Sequence, residues 1–365
     1  MTSRTITVGG PDADVPGRTS SDIQAAIESL GPTGGVVRLA DGTFDIAAPV
    51  RLPSHVTLAG AGPHTVLRKI DGVIASPDDD ADYGELVVRV PDPTAFAVGM
   101  GVQVREDGAV DWQCSTSVIT AVEGRTIHLR DRLIKDYSVE RGCTISNACS
   151  VIEVIDAEDV HVEHLSIDGN KATNEFLNGC RGGGVYIHRS RHCTCMDVTV
   201  ADFNGDGISW QITEDITVDG CEVRGCTNFG LHPGTGSLRT RVTGCDVHDN
   251  GTDGLYVCWR VQDGTFAGNH IHHNGRHGVS LGHKDTGNLF DGNRVVGNAG
   301  AGVYFRPETD RNGAHRTRLV GSTIEDNLGG AVVIDSYTDD LIIDGTPDAD
   351  VVVNAPAPGL VINGR

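Results

Sequence analysis

The segment DGLYVCWR at residues 253–260 returns as HGVSLGHK at 277–284, and again as AGVYFRPE at 301–308. Working outward from it, Gly184, Gly207, Gly230, Gly254, Gly278, Gly302 and Gly330 each open a short apolar run, and their numbers advance by 23, 23, 24, 24, 24 and 28. A second marker, the glycine before Cys221, Cys245, Asn269, Asn293 and Ser322, keeps steps of 24, 24, 24 and 29. Two independent markers with one period define a repeat protein. A unit of this length with two or three short strands is one coil of a right-handed parallel β-helix, an all-β solenoid. Leucine-rich repeats share the length but need a leucine/asparagine consensus that is absent here.

Period-two alternation then points Val185, Ile208, Leu231, Leu255, Val279, Val303 and Ala331 inward. The residues two further on, Ile187, Trp210, Pro233, Val257, Leu281, Phe305 and Val333, point the same way. The column Cys221, Cys245, Asn269, Asn293, Ser322 should stack inside a turn, where side-chain amides satisfy bent backbone in neighbouring coils. Ser21-Asp22-Ile23-Gln24 reads as a capping box, and Ile23, Ala26, Ile27 and Leu30 form one apolar face, so a short helix should cover the open end of the solenoid. Residues 1–71 read as cap and first coils. Residues 72–148 break the period and read as a small β insertion with an acidic loop at Asp78, Asp79 and Asp80. Residues 149–365 read as the regular helix, the whole forming one continuous domain.

Composition agrees and narrows the function. The 365 residues include 48 glycines and only 5% aromatics, which suits short strands joined by tight turns. A formal charge of −21 argues against nucleic acid, whose phosphates need a Lys/Arg surplus, but leaves room for a local basic cleft on an acidic body. No stretch is apolar enough for a signal peptide or a bilayer span, so the expected location is cytoplasmic, with no membrane partner. Ten cysteines without zinc spacing, Cys193 and Cys195 among them, read as reduced and buried.

Coils in register lie about 4.8 Å apart, so equivalent outward positions become neighbours. Columns through the repeat gather Asp206, Asp253, His277, His232, Tyr256, Gln211, Arg260, Arg276, His283, Lys284, Arg306 and Glu308 on one stripe. Histidines beside acids, tyrosines and fixed cations are what acid–base chemistry on a sugar requires. The expected catalytic set is His232, Asp253, His277 and Tyr256, with the others binding substrate. Tyr186, Tyr256 and Tyr304 also admit a structural reading as a stacked ladder. His270, His272 and His273, in one turn column with His248, read as a solvated turn rather than a metal site.

At these residues the chain resembles a known family. LSIDGNKATN, FGLHPGTGS, VHDNGTDGLYV and NGRHGVSLG, over roughly residues 160–310, look like the catalytic module of mannuronan C5-epimerases, within the broad pectate-lyase-like superfamily. The resemblance implies a substrate groove at Asp253, Arg276 and His277. The family signature Tyr-Gly-Phe-Asp-Pro-His reads Phe229-Gly230-Leu231-His232-Pro233-Gly234 here, so the scaffold is kept while the catalytic trio is altered. A second likeness is to polygalacturonase-type hydrolases, through Asn204-Gly205-Asp206-Gly207, Asp253, His277-Gly278 and Arg306, although their adjacent double Asp is missing.

Three functions follow. The first is a lyase or epimerase on a uronate-containing glycan, with His232 or His277 as base, Arg260, Lys284 or Arg306 holding the carboxylate, and Tyr256 passing a proton. The second is a glycoside hydrolase using Asp206, Asp253 or Glu308; the first two lie two rungs, roughly 9.6 Å, apart. The third is a non-catalytic glycan-binding solenoid. Related lyases use Ca²⁺, for which Asp206, Asp253, Asp285 and Glu308 offer oxygen, although no dedicated calcium motif is present. Self-association, as a trimer through the helix flank, stays open.

Overall fold

The structure, a computed structural model, describes residues 4–108, 112–346 and 350–363. Its strands stack in parallel with the register the repeat demands: Leu231 opposite Leu255, Leu255 opposite Val279, Val279 opposite Val303. Ten strands make one continuous wall, and a 19-stranded sheet folds around the remaining sides of the coil. Each coil is held to the next by backbone bonds and each inward side chain by those above and below, so the core is one apolar column. Leu231, Leu255, Val257, Trp210 and Phe305 are all fully buried. The indole N–H of Trp210 donates to Thr240 Oγ1 at 2.9 Å, which lets so large a polar-tipped ring sit inside.

The corners explain both sequence markers. Gly244, Gly268 and Gly292 sit at φ of 61°, 62° and 59°, a left-handed bend that glycine adopts without Cβ strain. The residue after each turns inward. Asn269 Oδ1 accepts the Cys245 backbone N–H at 3.0 Å, while its amide donates to Asn293 Oδ1 at 3.0 Å and Val242 O at 3.1 Å. A second ladder, Asn250, Asn274, Asn298 and Asn327, runs down the next corner with the same bonding.

The last coil marked by a repeat glycine departs from the sequence alignment. Val303 pairs with Val332, so Val332 and Ile334 are buried, and Ala331 and Val333 are not the inward pair. This coil is longer than those before it, and its length exceeds the glycine-to-glycine step by one. Gly330, at φ 95°, absorbs the extra residue in the turn, so aligning on glycine slips the register by one.

At the other end, helix Ser20–Leu30 buries Ile23, Ala26, Ile27 and Leu30 against the first coil. Its N-cap is Thr19, closed by Asp22, not the box beginning at Ser21. Val50–Arg51 pairs directly with the strand Ile152–Ile155; between them Val56–Ala59 and Thr65–Lys69 still stack in the solenoid, and the chain then leaves it before rejoining at the next rung. That excursion forms a six-stranded antiparallel sheet around Val102, Val104, Ile119, Ile127 and Ile145. No helix among the described residues is long and apolar enough to cross a membrane.

Candidate active site

The candidate residues rise from the outer face of the ten-stranded wall. Ser209 pairs with His232, Tyr256 with Ser280, and Ser280 with Tyr304, which makes one column of outward side chains. Beside it Gly234 and Gly282 form a floor across which two long side chains lie. A Cβ on Gly234 would fall 2.0 Å from the Gln211 amide, and one on Gly282 would fall 3.0 Å from the Arg306 guanidinium. Gln211 and Arg306 therefore reach inward from opposite ends of the stripe.

The stripe is not open along its length. His232 is only 2% exposed and Asp206 is fully buried, which corrects the expectation of a solvent-facing His232. A loop through Gly179 covers them: its carbonyl accepts Ser209 Oγ at 2.6 Å, and a Cβ there would meet Asp206 Oδ2 at 1.6 Å and His232 Nδ1 at 2.8 Å. Phe229 and Tyr256, stacked with centroids 4.0 Å apart, close the other side. Beneath this lid Asp206 Oδ2 sits 2.6 Å from His232 Nδ1, and Asp206 Oδ1 accepts from Asn228 Nδ2 at 2.7 Å. Burial opposes charge on His232, but Asp206 and Cys258 outweigh it and raise its pKa to about 10. His232 is thus an internal imidazolium, unsuited to act as a base.

Asp253 is likewise fully buried. It receives Arg276 Nε and Nη2 at 2.7 and 2.6 Å and the His277 N–H at 3.0 Å, a bidentate pair that also fastens the next coil. His277 Nδ1 accepts the Ala301 N–H at 3.0 Å. Burial lowers its pKa, so the neutral ring carries its proton on Nε2. His277 therefore presents a donor to the groove, not the lone pair expected of a base. It stacks on Tyr304 at 4.3 Å, and Tyr304 donates to Asp335 Oδ2 at 2.8 Å. The tyrosines do not form a ladder of their own: Tyr186 stacks on His188, Tyr256 on Phe229 and Tyr304 on His277.

Arg306 lies over the Tyr256 ring at 4.4 Å and donates to Val257 O at 2.7 Å, Ser280 Oγ at 3.0 Å and Asp285 at 3.3 Å. Burial pushes Asp285 up to about 7, against the pull of Arg306 and the Val261 and Gly282 N–H groups. Burial also pushes Tyr256 up to about 12, and its hydroxyl has no hydrogen-bond partner among the described residues.

At the strand ends His283 Nδ1 lies 3.1 Å from Glu308 Oε1, and its ring stacks on Trp259 at 4.4 Å. With the carboxylate accepting a hydrogen bond from Nδ1–H, the neutral tautomer leaves the Nε2 lone pair free. Trp259 is 44% exposed and presents an aromatic face beside it. Arg260 and Lys284 are corner residues at φ 64° and 61°. Left-handed residues recur at corners throughout the chain, so this backbone marks a corner and not a special strain.

The sequence thus brings its nominated residues to one wall, while burial and hydrogen bonding change the roles they can take. Phe229, Cys258, Gly179 and Ser280 were missing from the nominated set. Phe229 stands between Asp206 and Asp253 in one column and Ser280 between Tyr256 and Tyr304 in another, so filling each column finds them; Cys258 lies between Gly234 and Gly282, two rungs from Gln211 and from Arg306. The acids nominated for Ca²⁺ do not converge. His232 holds Asp206, Arg276 holds Asp253, Arg306 holds Asp285 and His283 holds Glu308, so they form no oxygen cage.

Comparison with known proteins agrees on the architecture. Residues 172–312 match the family model described as right handed beta helix region. No curated protein matches the sequence. Among solved structures, the A-module of the mannuronan C-5 epimerase AlgE4 from Azotobacter vinelandii is 17% identical, with a TM-score of 0.58 over 98% of this chain and 96% of that one. A glycoside hydrolase is 11% identical, with a TM-score of 0.60 over 98% and 96%. PfbA, a surface adhesin of Streptococcus pneumoniae, is 13% identical, with a TM-score of 0.50 over 94% and 80%.

Proposed function

We propose that this right-handed parallel β-helix, a frame it shares with a mannuronan C-5 epimerase module, is a carbohydrate-active enzyme. It removes the C5 proton of a uronate residue in a poly- or oligosaccharide, as a lyase or an epimerase. The observation that carries this reading is the Glu308-oriented imidazole of His283, stacked on an exposed tryptophan, with Lys284 next in the chain and the backbone N–H of Arg260 donating to the His283 carbonyl. Nε2 of His283 takes the C5 proton, and the electron pair moves into the uronate carboxylate, whose charge the cations offset. A lyase then breaks the C4–O bond as the C4–C5 double bond forms, and a hydroxyl such as that of Tyr256 protonates the leaving oxygen. An epimerase instead returns a proton to the opposite face of C5. Trp259 supplies a flat apolar face for a sugar ring.

Hydrolysis needs two accessible carboxyl groups flanking the bond. Of the three acids read for it, Asp206 and Asp253 are buried and committed to cations, and Glu308 is paired with His283, which favours proton abstraction.

The test is incubation with a panel of polyuronates in D₂O. Growing ultraviolet absorbance from a C4–C5 double bond identifies a lyase, and deuterium at C5 without chain cleavage identifies an epimerase. New reducing ends without unsaturation would instead establish hydrolysis.

A further inference from the structure

A cluster of side chains on a different wall from the groove has no part in the chemistry above. Asp246 and His248 lie on the strand Asp246–His248, and His270 and His272 lie on the next rung, with Asp246 opposite His270 and His248 opposite His272. We propose that Asp246, His248 and His272 form a binding site for a divalent first-row transition ion, with Zn²⁺ as its reference ligand.

One ligand atom from each of the three lies within 4.8 Å of the others. Donors of a tetrahedral zinc site sit about 3.3 Å apart at metal–ligand distances of about 2.0–2.1 Å, so modest side-chain rotation closes the set. The two imidazoles are parallel, 7° apart in plane with centroids at 4.7 Å. Both turn Nε2 toward one row of carboxylates: His272 Nε2 is 2.9 Å from Asp246 Oδ1, and His248 Nε2 is 3.5 Å from Glu222 Oε1. Glu222 is the register partner of Asp246 one rung back.

A second observation points to a metal. His248 Nδ1 lies 2.7 Å from Asp249 Oδ2, the carboxylate–histidine arrangement that puts the proton on Nδ1 and leaves Nε2 free to ligate. Other charges facing the cluster are Glu222 with Arg224, His270 with Arg294, and His273 against His272. Two imidazoles with a carboxylate suit zinc and its neighbours rather than Ca²⁺ or Mg²⁺, which prefer all-oxygen shells. An ion here joins two adjacent coils and should raise the melting temperature.

The test is calorimetric titration of the full chain with Zn²⁺, with Co²⁺ as a visible-absorbance probe and Ca²⁺ as control. The expected result is one equivalent of Zn²⁺ and a higher melting temperature, with no response to Ca²⁺. His248→Ala/His272→Ala should abolish that equivalent. Asp249→Ala, which only frees His248 to rotate, should weaken it about tenfold. Unchanged circular dichroism and metal-free melting would show that the variants fold. No stoichiometric binding by the parent chain, or full binding by the double variant, would overturn the proposal.

Discussion

Asp206 Oδ2 lies 2.6 Å from His232 Nδ1, an ion pair sealed beneath the Gly179 loop and the Phe229–Tyr256 stack. A pair so placed is costly to break because the surviving charge stays buried. Asp206→Asn should cost about 3–5 kcal/mol in urea unfolding at neutral pH. The folded pKa of His232, about 10, is above its value of 6.5 in the unfolded chain. Its contribution is therefore complete below pH 6.5 and lost as pH rises through about 10. The parent chain should lose stability across that window, and Asp206→Asn should lack this component.

The asparagine ladder should matter most at its centre. Asn274 accepts from Asn250 N–H and Nδ2, and donates to Asn298 Oδ1 and Val247 O. Asn274→Ala leaves several buried polar groups without partners, at about 1–3 kcal/mol each. Asn327, in the last rung of the ladder, has a neighbouring coil on one side only in this bonding. Asn327→Ala should lower the denaturation midpoint by clearly less than Asn274→Ala.

The two groove histidines should behave differently in kinetics. His283→Gln removes the base and should reduce turnover on a polyuronate by about 10²–10⁴, with substrate affinity and melting little changed. His277→Gln keeps a donor in the groove and should affect chiefly KM. Because burial lowers the His277 pKa, its donor role needs no protonation event above pH 6.5, and the parent chain should hold a flat KM there.

Much of this was legible in the sequence because a solenoid writes its structure as a period. One left-handed corner glycine and one inward asparagine or cysteine per coil suffice to align Asp253, His277 and Arg306 on neighbouring rungs. The burial of His232 was not legible, since the loop through Gly179 lies outside the repeat and close approach leaves no periodic trace. The slip at Val332 was legible only in part. In the last coil the corner marker advances one further than the glycine marker, and backbone pairing follows the corner marker. The choice of His283 over His277 depends on which ring nitrogen meets an acceptor and which a backbone N–H, and residue type carries no such information.

The proposed activity requires a carboxylate-reading stripe on an otherwise acidic protein. It is tested most directly by calorimetric titration with a uronate oligosaccharide and with the same oligosaccharide after its carboxyl groups are reduced to alcohols. The expected result is binding of the uronate, weakened by added salt and by Arg260→Gln with Lys284→Gln, and little binding of the reduced form. Equal affinity for both sugars would contradict it.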